Sequence, residues 1–266
     1  MKTILITGCS SGFGLETAKH FLDRGWKVIA TMRTPNEEVL PRSEHLRVLP
    51  LDVTKQQSIE ALVEAAGPID VLVNNAGIGF AGAVEAMSMD SIREIFETNT
   101  FGLIALTQAF LPQFRQRRSG VVVNVTSTVT LKALPLLAVY TASKAAVNAF
   151  SASLALELEP FNVQVRVVLP GRSPTTRFGD NAKARMPRDF PAEYRDFAAP
   201  IFKAMREDTS AVTYAEDVAE GVWRAATDPT CPSMLPAGED AVDTVFAPQC
   251  AIAKAGSKGL PDLSTP

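Results

Sequence analysis

The sequence has few cysteines, little charge imbalance and no long apolar run. Its three cysteines, Cys9, Cys231 and Cys250, are widely separated. This scatter excludes metal-ligand spacing and a disulfide framework, and it favours a reducing compartment. A net charge of −3 gives no reason to expect a nucleic acid or an anionic membrane as partner. No run approaches the roughly 20 apolar residues that a bilayer-crossing helix needs, and the chain opens on a strand rather than a signal peptide. We expect a cytoplasmic protein without a membrane anchor.

Strand-like and helix-like segments alternate along most of the chain. Apolar, β-branched runs predict strands at Thr3–Thr7, Lys27–Met32, Arg47–Leu51, Val71–Asn74, Val121–Thr126 and Gln164–Leu169. Longer patterns predict helices at Gly14–Arg24, Gln56–Ala66, Met89–Arg117 and Tyr140–Leu158. Strands that are covered on both faces are apolar throughout, so we expect an α/β fold with a parallel sheet. A TIM barrel shares this alternation and this length.

The composition changes after Gly171. The chain has 46% hydrophobic and 21% charged residues, which is typical of a globular protein, and its length suits one large domain or two small ones. Residues 172–211 are rich in Pro, Phe, Arg and Asp and show little strand character, which predicts a mobile helical insertion. The tail from Ala247 to Pro266 is expected to be loosely ordered.

The first predicted strand runs directly into a glycine-rich turn, Gly8–Gly14, which precedes a helix. Glycines at such a turn let the backbone approach a pyrophosphate, and a helix N-terminus supplies N–H groups and a positive dipole. The spacing is G-x3-G-x-G, which differs from the general dinucleotide fingerprint and from a Walker loop. The alternative is a tight turn that binds no ligand. The position of the turn after the first strand favours a dinucleotide site. It therefore also favours a dinucleotide-binding fold over a TIM barrel.

The end of the second predicted strand indicates which dinucleotide binds. An acidic residue at this point typically marks NAD, because it accepts a hydrogen bond from the ribose 2′-hydroxyl. Here Met32 occupies that position and Arg33 follows it. A guanidinium suits a 2′-phosphate, so we expect NADP(H). The alternative is that Arg33 is an exposed residue at the start of a loop.

Tyr140 and Lys144 are four residues apart in a predicted helix, which puts both side chains on one face. An ammonium beside a phenol lowers the phenol pKa from about 10. A tyrosine whose pKa is lowered exchanges protons with an alcohol or carbonyl oxygen more readily at pH 7. The spacing alone is common on surface helices, so its interpretation depends on the surrounding motifs.

These motifs together resemble the classical short-chain dehydrogenase/reductase family over Thr3–Thr175. The features that carry the resemblance occur in the family's order: Gly8–Gly14, Asn74–Gly77, Ser127, Tyr140, Lys144 and Pro170–Gly171. The wording of Gly8–Gly12, Ala30–Arg33 and Pro236–Gly238 is most similar to the 17β-hydroxysteroid dehydrogenase-like and retinol dehydrogenase-like branch. The resemblance implies a doubly wound Rossmann sheet with helices on both faces. It also implies a single domain over residues 1–266, in which 172–211 bind the substrate.

The resemblance assigns catalytic roles to four residues. Tyr140 is the expected acid/base, and Ser127 orients the same substrate oxygen. Lys144 holds the nicotinamide ribose and lowers the tyrosine pKa. Asn99, inside the long helix, matches the family asparagine whose backbone carbonyl holds a water in the proton relay. An asparagine in the middle of a helix is also expected to distort the turn.

The resemblance further implies the cofactor contacts. The glycine turn contributes Gly8, Ser10, Ser11, Gly12, Phe13 and Gly14, and the later strand ends contribute Arg33, Asp52, Val53, Asn75, Ala76, Gly77, Tyr140, Lys144, Pro170, Gly171 and Thr175. Asp52 matches a residue that binds the adenine amino group. The alternative, given Thr54 nearby, is that Asp52 belongs to a helix N-cap region. Asn75, Ala76 and Gly77 are also expected to stabilise the sheet.

Two departures from the family limit these inferences. Ser173 replaces an aliphatic residue, which leaves the choice between Thr175 and Thr176 open. Residues 241–266 lack the family's glycine-rich close, so a tetramer does not follow, and a homodimer and a homotetramer both stay open.

The segments that leave the carboxyl ends of the strands are expected to line the substrate pocket. They supply Phe80, Val129, Leu131, Leu134, Leu137, Phe178, Met186, Phe190, Tyr194, Phe197 and Phe202. Such a lining favours an apolar substrate, although aromatic residues in an insertion often pack against their own domain. The arginines of the insertion, Arg172, Arg177, Arg185 and Arg188, are expected to form a solvated face. The alternative is an anion site for a carboxylated substrate.

We therefore expect an NADP(H)-dependent alcohol dehydrogenase or carbonyl reductase that uses no metal. The sugar-nucleotide epimerases and dehydratases share this core, but they are longer and carry G-x-x-G-x-x-G at the turn. A non-catalytic NADP(H)-binding sensor or scaffold on the same fold is the other alternative, and such proteins generally lose the tyrosine or the lysine.

Overall fold

A computed structural model of the chain describes residues 1–183, 185 and 191–246. Within this part, seven parallel strands form one open sheet in the order β3-β2-β1-β4-β5-β6-β7. The strands are β1 Thr3–Thr7, β2 Lys27–Met32, β3 Leu46–Pro50, β4 Val71–Asn74, β5 Gly120–Val125, β6 Val163–Pro170 and β7 Met234–Ala237. The expected doubly wound α/β fold is therefore confirmed, and the open sheet excludes the TIM barrel.

Helices cover both faces of the sheet. They are α1 Gly12–Leu22, α2 Gln56–Ala66, α3 Met89–Phe96, α4 Gly102–Arg117, α5 Ala138–Leu158, α6 Phe178–Lys183, α7 Ala192–Glu207, α8 Ala215–Thr227 and α9 Glu239–Phe246. The predicted helix over Met89–Arg117 is present as α3 and α4, joined by a π-helical segment, Glu97–Phe101. Beyond the predicted elements, the structure has α8, β7 and α9. In the part of the chain that is described, none of the helices combines the length and the apolarity needed to cross a bilayer.

Two apolar layers pack on opposite faces of the sheet because successive strand residues point to opposite sides. Ile4 and Ile6 of β1 lie in the layer under α1 and α8. Leu5, between them, lies in the layer under α2, α4 and α5. The continuous apolar runs of the sequence thus fill both layers.

The strand order reverses beside β1, which pairs with β2 on one side and with β4 on the other. A crevice forms at such a point beyond the carboxyl ends of the strands, and ligands of open α/β sheets bind there. The glycine turn follows β1, and Asn75–Gly77 follow β4, so both predicted cofactor segments open onto this crevice.

The described part of the expected insertion contains α6 and α7. Ala198 of α7 packs with Ala83 and Leu136 in a small separate apolar cluster. Its role in substrate binding stays a prediction. The expected loose tail from Ala247 onward, together with Cys250, lies outside the described residues.

Candidate active site

The glycine turn adopts a backbone that glycine alone accepts easily. Gly8 and Gly12 have φ angles of 76° and 60°, in the left-handed region that side chains disfavour. Gly14 is required for a different reason: a Cβ there would overlap the carbonyl oxygen of Gly8 and lie 2.6 Å from Nδ2 of Asn75. The turn therefore brings α1 into direct contact with the ends of β1 and β4.

Asn75 and Thr7 fasten the ends of β4 and β1 together. The Asn75 side chain donates from Nδ2 to the Thr7 carbonyl oxygen at 2.8 Å. The Thr7 hydroxyl accepts hydrogen bonds from the backbone N–H of Asn75 at 2.9 Å and of Ala76 at 2.8 Å. The expectation that these residues stabilise the sheet is met, and their cofactor role stays a prediction.

The N-terminus of α1 fits a pyrophosphate. Ser11 is the N-cap, yet among the described residues its side chain accepts no capping hydrogen bond, so the first N–H groups of α1 stay available to an anion. Ser10 is exposed and Phe13 packs against the core. A cleft of about 300 Å³ opens beside Gly12, lined by Gly12, Glu16, Thr175, Thr176, Arg177, Tyr214, Ala215 and Glu216.

Arg33 and Asp52 lie at the ends of β2 and β3. The side chain of Met32 is buried in the core, whereas Arg33 is exposed. Oδ1 of Asp52 accepts hydrogen bonds from the backbone N–H of Thr54 at 3.0 Å and from its hydroxyl at 2.7 Å. Partial burial raises the pKa of Asp52, but these bonds and the charges of Arg33 and Lys55 outweigh it and lower the pKa. Arg33 and Asp52 therefore interact at this edge.

Asp52 lies outside the first turn of α2, because Lys55 is the N-cap of that helix. Asp52 is therefore not the N-cap of α2. Its carboxylate instead closes a short turn with Thr54. Val53 packs at the start of α4, where a Cβ on Gly102 would lie 2.7 Å from the Val53 carbonyl oxygen.

Ser127, Tyr140 and Lys144 meet at the carboxyl end of β5. Their exposed fractions are only 7%, 7% and 5%, and Tyr140 is hydrogen-bonded to the Ser127 side chain. Nζ of Lys144 donates to the Val125 carbonyl oxygen at 3.0 Å. A Cβ on Gly77 would lie 3.3 Å from the same Nζ. The structure therefore joins the three predicted catalytic residues to the predicted cofactor segment after β4.

One sequence-based expectation about this group is wrong for the protein alone. Burial raises the pKa of Tyr140 above its usual value, although the hydrogen bond with Ser127 lowers it in part. Burial also lowers the pKa of Lys144 to about 8. The phenol pKa is therefore raised rather than lowered, because the transfer of Tyr140 out of water favours its neutral form.

Asn99 distorts the helix, as expected, and lies in the π-helical segment. Its side chain is buried, and its Oδ1 accepts a hydrogen bond from the Ile78 N–H at 2.8 Å. Its Nδ2 donates to the Ile78 carbonyl oxygen at 2.9 Å and to the Ser143 hydroxyl at 3.1 Å. Asn99 therefore ties the loop after β4 to α5, close to Tyr140 and Lys144. The sequence motif identified the residue but not these contacts.

A further contact holds Ser127 in place and was not predicted. The Thr130 hydroxyl donates to the Ser127 carbonyl oxygen at 2.8 Å. Nδ2 of Asn148 then donates to the Thr130 hydroxyl at 2.9 Å. Asn148 lies one turn after Lys144 and two turns after Tyr140 on α5, so the helical spacing was the available signal. One face of α5 therefore carries the lysine and tyrosine and supports the serine loop.

The loop after β6 is the last predicted cofactor segment. β6 ends at Pro170, as the Pro-Gly pair predicts. Thr175 is exposed, while the Thr176 hydroxyl donates to the Ser173 carbonyl oxygen at 3.1 Å. A Cβ on Gly12 would lie 3.5 Å from the Thr176 side chain. Both threonines therefore lie beside the glycine turn, and the choice between them stays open.

Four of the predicted substrate-lining residues divide into two groups. Tyr194 and Phe202 pack against the Ala83 cluster, which is the self-packing alternative, whereas Leu131 and Phe197 are 45% and 53% exposed. An open groove of about 550 Å³ lies between the loop before α5 and α7, lined by Leu134, Pro135, Ile201, Ala204, Met205, Glu207 and Asp208. Met186, Phe190, Arg188 and the side chain of Phe178 lie outside the described part of the structure.

Two arginines of the insertion are paired. Nε of Arg172 lies 3.3 Å from Oδ2 of Asp208, and Nε of Arg185 lies 3.5 Å from Oε1 of Glu94. Arg177 is exposed. Arg172 and Arg185 are partly buried, so the expected solvated face stays a prediction.

Comparison with known proteins supports the resemblance to the short-chain dehydrogenase/reductase family. A family model described as short chain dehydrogenase matches residues 2–185. A 3-ketodihydrosphingosine reductase from Bacteroides thetaiotaomicron is 36% identical over 207 residues, which cover 76% of this chain and 74% of the relative. Retinol dehydrogenase 8 from Bos taurus is 39% identical over 184 residues, which cover 64% of this chain and 58% of the relative.

Solved structures with the same fold carry either nicotinamide cofactor. A serine dehydrogenase solved with NADP+ has a TM-score of 0.76 and 28% identity, over 99% of this chain and all of the other. A 3-ketoacyl-(acyl-carrier-protein) reductase from Brucella melitensis, solved with NADH, has a TM-score of 0.73 and 27% identity, over 88% of this chain and 96% of the other. The retinol dehydrogenase-like resemblance is thus confirmed, and the chain belongs to the short-chain dehydrogenase family, whose fold binds a nicotinamide dinucleotide for the oxidoreduction of alcohols and ketones.

Proposed function

We propose that this protein is an NADP(H)-dependent oxidoreductase that interconverts an alcohol and its ketone or aldehyde, with Tyr140 as the acid/base. The observation that carries the proposal is the buried group of Ser127, Tyr140 and Lys144 beside Gly77. A phenol, a hydroxyl and an ammonium in one water-poor site are the groups that proton transfer to a carbonyl oxygen needs. The cofactor supplies or accepts the hydride when it is bound.

The protonation states of the site suit this chemistry. Because burial raises the pKa of Tyr140, the phenol carries its proton at pH 7 and can donate it to a carbonyl oxygen during reduction. Lys144, with a pKa of about 8, is mostly charged at pH 7 and stabilises the phenolate that remains. The Ser127 hydroxyl accepts a hydrogen bond from the Val129 N–H, and the Ser127 backbone carbonyl oxygen accepts one from the Thr130 hydroxyl. Held in this way, the Ser127 hydroxyl orients the substrate oxygen.

Asn99 supports proton exchange with solvent in this proposal. Its π-helical segment replaces the usual bond pattern, and the N–H of Gly102 donates to the Glu97 carbonyl oxygen five residues before it. Such segments occur frequently at functional sites because they redirect backbone carbonyls. We assign the Asn99 carbonyl to a water of the proton relay, as the family resemblance implies.

The preference for NADP(H) rests on Arg33. Arg33 is exposed and directly follows Met32, which occupies the position where NAD-specific proteins carry an acidic residue. A guanidinium binds a 2′-phosphate in bidentate geometry. We expect Arg33→Ala to raise the KM for NADPH by about tenfold or more, since a charge-assisted hydrogen bond contributes about 1.5–3 kcal/mol. The KM for NADH should stay within about twofold.

Arg42→Ala is the matched control for this variant, because Arg42 is also an exposed arginine that follows β2. Arg42→Ala should leave the KM for NADPH and the KM for NADH unchanged. A wild-type protein that clearly prefers NADH would contradict the assignment of Arg33.

The substrate is proposed to be apolar and to contact the insertion, residues 172–211. Support comes from the exposed Leu131 and Phe197 and from the open groove beside α7. Two relatives are named for retinol and 3-ketodihydrosphingosine, so these compounds belong in the first panel with aldehydes, ketones and steroids. NADPH and NADH consumption at 340 nm is the readout.

The same panel tests the non-catalytic alternative. Turnover of a carbonyl compound that Tyr140→Phe abolishes supports the proposal. Tight NADPH binding without oxidation by any compound would favour a cofactor-binding sensor or scaffold.

A further inference from the structure

The loop that leaves β6 is fastened by residues far along the chain. The N–H of Gly171 donates to the Thr213 hydroxyl at 2.9 Å. The N–H of Arg172 donates to Oδ2 of Asp240 at 2.6 Å. The N–H of Thr213 in turn donates to the Arg172 carbonyl oxygen at 2.8 Å. Three backbone groups of the loop therefore depend on Thr213 and Asp240.

Thr213 and Asp240 also hold each other. The Thr213 hydroxyl lies 2.7 Å from Oδ1 of Asp240 and 2.9 Å from the Ala237 carbonyl oxygen, so its single proton is within hydrogen-bond reach of both acceptors. Thr213 is fully buried, so the loss of a partner there would leave polar groups unsatisfied. We call Gly171, Arg172, Thr213 and Asp240 the clamp.

Glycine is required on both sides of the clamp. A Cβ on Gly171 would overlap the Asp240 carboxylate, and a Cβ on Gly238 would overlap the Thr213 side chain. Gly238 also has a φ of 101°, which side chains rarely adopt. The carboxylate thus packs directly on the backbone of the loop, which limits the conformations the loop can take.

The side chain of Arg172 joins the two ends of the insertion. Its guanidinium pairs with Asp208 at 3.3 Å and donates from Nη2 to the Ser210 carbonyl oxygen at 3.1 Å. Together with the bond from Thr213 to Arg172, these contacts fix residues 208–213 beside 171–172. The insertion therefore starts and ends at one fastened point.

The clamp lies where the cofactor loop meets the insertion, and two of its members lie beyond the family match, which ends at residue 185. We propose that Asp240 and Thr213 are positioning residues that hold the loop after β6 in the conformation that binds the nicotinamide half of the cofactor. This inference rests on the proposed function only in placing that half beside Gly171. A loop that is already ordered loses less conformational freedom on binding, so affinity is higher.

Three variants test the clamp by direct titration of NADPH fluorescence, which needs no substrate. Asp240→Ala removes both acceptors, and Thr213→Val removes the hydroxyl at similar size. We expect each to raise the NADPH Kd by about tenfold or more. Thr213→Ser keeps the hydroxyl and should stay within about threefold of the wild type.

Asp243→Ala is the matched control, since Asp243 is an exposed carboxylate on the same helix. Its NADPH Kd should not change.

Thermal unfolding separates positioning from a purely structural role. An unchanged Kd in Asp240→Ala or Thr213→Val, with or without a lower Tm, would overturn the proposal. If Asp240→Ala does not fold, the Thr213→Val and Thr213→Ser pair decides the question. A wild type that binds NADPH but turns over no compound would contradict the catalytic proposal and leave this test intact.

Discussion

The glycine turn offers a prediction whose size follows from the structure. In Gly14→Ala, the new Cβ would overlap the Gly8 carbonyl oxygen and lie 2.6 Å from Nδ2 of Asn75, whereas ordinary contacts begin at 3.4 Å. The amide must therefore move by about 0.8 Å, the difference between those two distances. This shift breaks the 2.8 Å bond from Asn75 to Thr7.

Three effects set the expected change in stability. Overpacking costs about 1–3 kcal/mol, and the lost hydrogen bond costs about 1 kcal/mol. Alanine recovers about 1 kcal/mol through its higher helix propensity. We expect Gly14→Ala to lose about 1–3 kcal/mol of unfolding free energy. Because the turn must open to admit the methyl group, the NADPH Kd should also rise by about tenfold or more, which corresponds to about 1.4 kcal/mol.

Urea unfolding measures the first effect and a fluorescence titration measures the second. Gly179→Ala is the matched control, because it lies in α6 and a Cβ there meets nothing within 4 Å. It should be neutral or up to about 1 kcal/mol more stable. Equal stability and equal NADPH affinity in the two variants would refute the reasoning about close packing at Gly14.

Three further variants probe the catalytic group. Lys144→Met should be about 1–3 kcal/mol more stable at pH 7, because burial lowers the Lys144 pKa from 10.5 to about 8. Between these pKa values the unfolded wild-type chain binds more protons at residue 144 than the folded one, so the stability advantage of the variant over the wild type in urea melts should shrink as pH rises. Gly77→Ala should lower kcat by about tenfold, because its Cβ would lie 3.2 Å from Oδ1 of Asn99 and 3.3 Å from Nζ of Lys144. Asn148→Ala should lower kcat about fivefold, the equivalent of one lost hydrogen bond of about 1 kcal/mol. Steady-state assays with a substrate found by the panel measure this change. An unchanged kcat would show that the bond to Thr130 does not position Ser127.

Much of the predicted cofactor site could be identified from the sequence because the residues that indicate it are adjacent in the chain. The strand Thr3–Thr7 and the glycines after it are adjacent in sequence, and the structure has both where the pattern indicates. The distortion at Asn99 was predicted for the same reason. β7 was not predicted, because a four-residue strand containing Pro236 has no distinctive pattern.

The remaining features depend on long-range packing. The bond from Arg172 to Asp240 spans 68 positions, and no local pattern indicates it. The predicted direction of the Tyr140 pKa shift is wrong, because side-chain spacing does not report how completely a fold buries Tyr140 and Lys144. Tyr194 and Phe202 of the expected pocket pack against Ala83 instead, since an aromatic pattern cannot distinguish a lining from a core.

Single-turnover reduction by Tyr140→Phe tests the central claim most directly. The variant keeps the ring and loses only the hydroxyl that bonds with Ser127. We expect the rate of hydride transfer from bound NADPH to fall by about 10²–10⁴, the usual contribution of general acid catalysis, while the NADPH Kd stays within about twofold. A variant that reduces the wild-type substrate within about tenfold of the wild-type rate would contradict the assignment of Tyr140 as the acid/base.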